Sequence, residues 1–214
     1  MFTSIYISLE TYFTTALELI GTFAFAISGI RLASGKQIDW FGAYLIGLVT
    51  AIGGGTVRDL LLDLTPFWML DGNYFLTTGI ALLAAFIFKD KIFKLGNTLF
   101  LFDAIGLGLF TVVGISKSIE VGLPFWVCIV MGTITGSLGG VMRDVLINEV
   151  PLLLRKDIYA LACLAGGIVY FACIKLNLPI SLTEFIAAFT VIVVRIIALK
   201  FHIHLPVFNS IKTN

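Results

Sequence analysis

The chain has 214 residues, of which 59% are apolar and 13% charged, with 21 glycines besides, a net charge of +1 and a mean hydropathy of +1.05. A soluble domain carries about 25% charged residues, and far less than that cannot cover a water-exposed body of this length. The composition excludes a cytosolic globular enzyme and a disordered chain, and the near-zero net charge excludes a nucleic-acid binder. The chain reads as an integral membrane protein.

A membrane-spanning helix needs about 20 mainly apolar residues. Seven segments qualify, and the expected fold class is an all-α polytopic membrane protein. The first, 11–30, contains Glu18; it lacks the basic start and small-residue cleavage site of a signal peptide and is expected to remain as a span. Ser34 to Gln37 leads into the second, 40–61, which carries Thr50, Gly53-Gly54-Gly55 and Arg58-Asp59. Pro66 to Asn73 leads into the third, 73–88, and the charge run Lys89 to Asn97 divides the chain in two. The fourth, 98–116, contains Asp103. The fifth, 124–147, carries Thr133, Thr135, Ser137, Gly139-Gly140 and Arg143-Asp144. The sixth and seventh, 158–174 and 180–199, follow, with Arg195 and Lys200 expected to snorkel at the end of the last. Trp40, Trp68 and Trp126 lie near segment ends, as an interfacial aromatic belt requires.

With seven spans, one side of the membrane receives Arg31, Lys36, Lys89, Lys91, Lys94, Arg155, Lys156, Lys200 and Lys212, and the other only Lys117 and Lys175. The positive-inside rule then puts the C-terminus in the cytoplasm and the N-terminus outside.

Gly54-Gly55-Thr56-Val57-Arg58-Asp59 resembles Gly139-Gly140-Val141-Met142-Arg143-Asp144, an offset of 85 residues. The same register pairs Glu18 with Asp103, Gly21 with Gly106, Phe25 with Phe110, Gly29 with Gly114, Gly47 with Gly132, Thr50 with Thr135, Pro66 with Pro151 and Tyr74 with Tyr159. The chain is expected to form one membrane domain, 1–214, with a first three-helix repeat at 11–90, a second at 96–175 and a seventh helix at 180–200. Three is odd, so the second copy enters from the opposite side. Inverted repeats are typical of proteins that move solutes along the repeat interface.

Several glycines together can unwind a helix at membrane depth, where broken backbone is tolerated if it is buried or lines a water-filled cavity. Gly132, Gly136 and Gly140 also form a small-residue face for close helix packing, so both roles stay open. An Arg in the apolar region needs water or a partner. Adjacent helix positions diverge, so each Arg is expected to reach a carboxylate on another helix, Glu18 or Asp103, rather than its neighbouring Asp. Such groups form either a cation-favouring path or a structural ion-pair network. Thr50, Thr135 and Ser137 are further candidates to line a path, although hydroxyls in membrane helices often bond to the preceding turn. Cys128, Cys163 and Cys173 form no CxxC pair and read as core fillers. Nucleotide and zinc-protease motifs are absent, the His202/His204 pair is a poor metal site, and no enzymatic activity, cofactor or metal is expected.

Two inverted three-helix repeats, each with GG-x-x-R-D on its second helix, followed by a seventh helix, resemble the prokaryotic TRIC family of trimeric intracellular cation channels. The resemblance spans residues 10–200. It implies a homotrimer in a prokaryotic inner or plasma membrane, each protomer holding its own pore for potassium, sodium and other monovalent cations. It also implies that the second and fifth helices are kinked at the glycines and line that pore. Animal members bind phosphoinositide near the pore, which makes membrane lipid a further implied partner. The same bacterial group has been described as a glycine transporter family, so an alternating-access carrier of a small neutral solute is the alternative.

Overall fold

The computed structural model describes residues 2–89 and 98–206. Among these residues eight helices follow in order: α1 (Phe2–Ala33), α2 (Trp40–Leu61), the single turn α3 (Phe67–Leu70), α4 (Asn73–Ile87), α5 (Thr98–Glu120), α6 (Phe125–Leu146), α7 (Ala160–Lys175) and α8 (Ile180–Lys200). A 3-10 turn at Leu152–Leu154 lies between α6 and α7. Among the described residues, α1 from Tyr12, α2, α5, α6 and α8 are each long and apolar enough to cross a membrane. The helices α4 and α7 are apolar but shorter, at 15 and 16 residues. All seven predicted segments are helical. Lys91, Lys94 and Lys212, which enter the charge asymmetry, lie outside the described residues.

Local signals set the ends. Asp39 caps α2 by accepting from the Gly42 amide at 2.7 Å, and Pro124 and Pro179 stand immediately before α6 and α8. The long helices α2 and α6 finish alike. Asp63 (φ 55°) and Asn148 (φ 57°) take the left-handed conformation that short polar side chains tolerate. The next residues, Leu64 and Glu149, donate back to the Asp59 and Asp144 carbonyls, both at 2.8 Å. Pro66 and Pro151 then start α3 and the 3-10 turn.

The helices α1, α2, α5 and α6 make the centre. Packed on it are α4, against α1 and α2, and the pair α7 and α8, against α5. Where α1 crosses α5, Phe25 and Phe110 stack with centroids 5.5 Å apart. A Cβ on Gly106 would strike the Phe25 ring and one on Gly21 would meet Phe110. Where α2 crosses α6, a Cβ on Gly54 would fall on the Thr135 carbonyl oxygen, and one on Gly139 on the Thr50 carbonyl oxygen. Each of these contacts is repeated with the two residues exchanged at an offset of 85.

Of the two roles open for the glycines, unwinding of the helix is not the one seen. Residues 53–55 and 136–140 stay helical within uninterrupted α2 and α6. What the missing Cβ atoms provide is backbone contact between the two helices. The hydroxyls of Thr50, Thr133, Thr135 and Ser137 all donate to the carbonyl four residues back, at 2.6–2.9 Å, inside their own helices.

One polar tether joins the halves at the surface. Lys36 Nζ donates to Glu149 Oε1 at 2.8 Å, with Arg155 Nη2 at 3.5 Å from the other oxygen. The bond from Lys36 holds the Glu149 carboxyl below the usual carboxylate range. A lowered carboxylate stabilises the fold above its unfolded-state pKa, and that stabilisation is lost as pH falls through the folded one. Glu149→Gln is therefore expected to lower the melting midpoint slightly at pH 7, and the difference from wild type should vanish in acid. A difference that grew on acidification would contradict this account.

Candidate functional site

Two clusters of buried charge flank the α2–α6 crossing. In the first, Arg58 of α2 is 1% exposed and places Nε and Nη2 each 2.8 Å from Asp59 Oδ1. The second oxygen, Asp59 Oδ2, accepts from the Phe67 amide at 2.8 Å and so fixes the start of α3. The Phe67 ring lies under the guanidinium, 5.4 Å from its carbon. Glu18 of α1 accepts from the Tyr74 hydroxyl at 2.7 Å.

The second cluster repeats this plan with more bonds. Arg143 of α6, 0% exposed, donates from Nε to Asp144 Oδ1 at 2.8 Å. Its Nη1 reaches Asp103 of α5 at 2.7 Å and Ser28 of α1 at 2.6 Å. Asp144 Oδ2 accepts from the Leu152 amide at 2.8 Å, as Asp59 does from Phe67. Arg195 of α8 is 0% exposed, donates to the Ile158 carbonyl at 2.8 Å and stands 4.7 Å from the Tyr159 ring centroid.

Two expectations are corrected here. Each Arg does pair with the Asp beside it: backbone directions diverge at adjacent positions, but the arginine stem is long enough to fold back and bring Nε to the carboxylate. Only Arg143 also reaches the carboxylate on another helix. No ion pair joins Arg58 to Glu18 among the described residues. Arg195 does not snorkel; α8 packs against α5 and α7, and its arginine points into that contact.

Sequence reasoning missed Ser28, the roles of Tyr74 and Tyr159, and a third buried group in which the Ser116 hydroxyl donates to Glu184 Oε1 and shares a 2.9 Å hydrogen bond with the Tyr170 hydroxyl. The tyrosines were visible as a pair in the 85-residue register. Glu184 lies on α8, beyond the stretches that the 85-residue register pairs, and has no image to reveal it.

Several buried polar atoms in the two main clusters have no hydrogen-bond partner among the described residues: Glu18 Oε1, Arg58 Nη1, Asp103 Oδ2, Arg143 Nη2 and the Tyr159 hydroxyl. Buried groups of this kind normally find a partner, so these atoms are where water or an ion would be held. The glycines 53–55, 139 and 140 lie between them, all buried.

A family model described as glycine transporter matches residues 15–90 and 100–175. A Vibrio cholerae membrane protein designated UPF0126 is 36% identical over 207 residues, covering 96% of this chain and 87% of that protein. The Escherichia coli inner membrane protein YadS is 35% identical over 195 residues, covering 90% and 94%. Among solved structures, the TRIC orthologue from Rhodobacter sphaeroides matches with a TM-score of 0.83 at 33% identity, covering 89% of this chain and 98% of that one. A second TRIC cation channel matches with a TM-score of 0.80 at 37% identity, covering 92% and 97%. A TRIC channel from Caenorhabditis elegans, at 15% identity and a TM-score of 0.59, shares the fold.

Proposed function

The chain belongs to the prokaryotic TRIC channel family, and from that premise we propose that it forms a channel for potassium and other monovalent cations, with one path in each protomer of a homotrimer. The observation that carries the reading is its likeness, at 33–37% identity over nearly the whole chain, to proteins described as cation channels. In this reading all the helices but the single turn α3 cross the membrane, as two inverted three-helix repeats and a seventh helix in a single domain. The exchanged contacts of α1 with α5 and of α2 with α6 support it, as do the matched stretches 15–90 and 100–175, whose first residues are separated by the repeat offset.

The proposed path follows the α2–α6 crossing. Gly53, Gly54, Gly55, Gly139 and Gly140 form its narrow section, and Thr50, Thr135 and Ser137 present hydroxyl oxygens along it. Glu18 and Asp103, with Arg58-Asp59 and Arg143-Asp144, set its charge. Carboxylate oxygens that lack a donor favour a cation at the points where they face the path. In this reading the protein sits in a prokaryotic inner membrane with its N-terminus outside, its C-terminus cytoplasmic and membrane lipid against its apolar faces.

Purified protein in a planar bilayer is expected to give unitary potassium currents whose reversal potential follows the cation gradient. The second reading, a carrier of a small neutral solute such as glycine, is favoured by the description of the family model. A carrier exchanges labelled for unlabelled solute against a gradient and a channel does not. Saturable glycine counterflow in liposomes, with no conductance in bilayers, would replace the channel by the carrier.

A further inference from the structure

A cavity of about 470 Å³ opens between the middle of α1, the ends of α5 and α7 and the start of α8. It lies away from the Arg143 cluster. Its wall contains Glu18, Ser116, Lys117, Glu120, Tyr170 and Glu184, three carboxylates against one ammonium. Lys117 is already engaged, with Nζ 3.4 Å from Glu120 Oε2 at the rim. Glu184 is 1% exposed and Glu18 is 6% exposed. Tyr74 satisfies one oxygen of Glu18, while Oε1 has no hydrogen-bond partner among the described residues. A buried carboxylate oxygen left in that condition is costly unless a cation or water meets it. The hydroxyls of Ser116 and Tyr170 add the neutral oxygens that a partly dehydrated alkali cation takes as ligands.

We propose that this cavity is a binding site for a monovalent metal cation, a vestibule held by Glu18 and Glu184 at the mouth of the path on the α1 N-terminal side. Its part in conduction rests on the channel reading above, but its binding does not. In such a site Glu18 connects vestibule and path, because it is bonded to Tyr74 beside the Arg58 cluster. Glu184 and Ser116 hold the ion farther out.

Binding is read from the thermal midpoint of the detergent-purified full chain as KCl replaces N-methylglucamine chloride at constant ionic strength. A ligand that binds only the folded state raises the midpoint with its concentration. A saturable rise is expected for wild type, and Glu184→Gln, which keeps an acceptor for Ser116, should remove most of it. Glu120→Gln, at the exposed rim, should leave it nearly intact. In bilayers, Glu184→Gln should lower unitary conductance by about two- to threefold at about 20 mM KCl and far less at about 1 M, where charges are screened over a few ångströms. A wild-type midpoint indifferent to potassium, or a rise equally large in Glu184→Gln and Glu18→Gln, overturns the site even if currents are normal. A charge-dependent rise in a protein that carries no current keeps the site and removes the channel.

Discussion

Arg143→Met is expected to destabilise the protein by about 3–5 kcal/mol, the usual consequence of removing one partner from a buried ion pair. The side chain fills the same volume with apolar atoms, so packing is little changed. What is lost is a single group serving Asp144, Asp103 and Ser28 at 2.6–2.8 Å. Both carboxylates would stay buried without their counter-charge. Arg143→Lys should recover little, because one ammonium cannot reproduce the two-sided fork of a guanidinium. Arg58→Met is expected to cost less, since among the described residues Arg58 bonds only Asp59 and rests on the Phe67 ring. Equilibrium unfolding in mixed micelles ranks the three variants. An Arg143→Met protein as stable as wild type would show that this cluster does not hold the bundle together.

Gly54→Ala is the second large effect. Overpacking usually costs about 1–3 kcal/mol because a neighbouring side chain can yield. Here the neighbour is the Thr135 carbonyl, fixed in the backbone of α6, and the added carbon would also lie 3.3 Å from the Gly139 amide. The helices must separate, and a cost of about 3 kcal/mol or more is expected. Gly139→Ala should behave in the same way through the Thr50 carbonyl. Gly53→Ala is the informative contrast, since its new carbon meets the flexible Met142 thioether. Gly79→Ala, with no atom within 4 Å, should stabilise α4 by about 1 kcal/mol through helix propensity. If Gly54→Ala and Gly79→Ala melt together, the α2–α6 contact is not close-packed in the membrane.

Much of the fold could be read before any coordinates, because a stretch of apolar residues long enough to span a membrane leaves little choice but a helix. One constant offset matched Phe25 with Phe110 and Gly54 with Gly139 in sequence; that the matched residues also meet in space came only with the structure. The short turns after α2 and α6 could not be read. They depend on Asp59 and Asp144 reaching an amide eight residues ahead, a contact that helical periodicity does not describe. Periodicity also misjudged the Arg–Asp neighbours, because it compares Cβ directions and ignores the length of the arginine stem. Arg195 was misplaced for a related reason: closeness to a helix end suggests an interface, whereas the neighbours of that end decide burial. For the glycines both chain breaking and close packing were open; their geometry serves contact, and sequence alone does not distinguish the two.

The exchanged contacts at the α2–α6 crossing have the form of an isologous interface, the kind found in a twofold dimer. In a true dimer every substitution appears on both sides at once. Here both sides belong to one polypeptide and can diverge. At the backbone they have not, since each glycine faces the image of the other's carbonyl. At the charged groups they have. Asp103 grips Arg143, whereas its longer counterpart Glu18 has turned away from Arg58 to Tyr74. Two halves within one polypeptide are thus free to divide labour in a way that symmetry would forbid: one locks the bundle while the other keeps a carboxylate to spare.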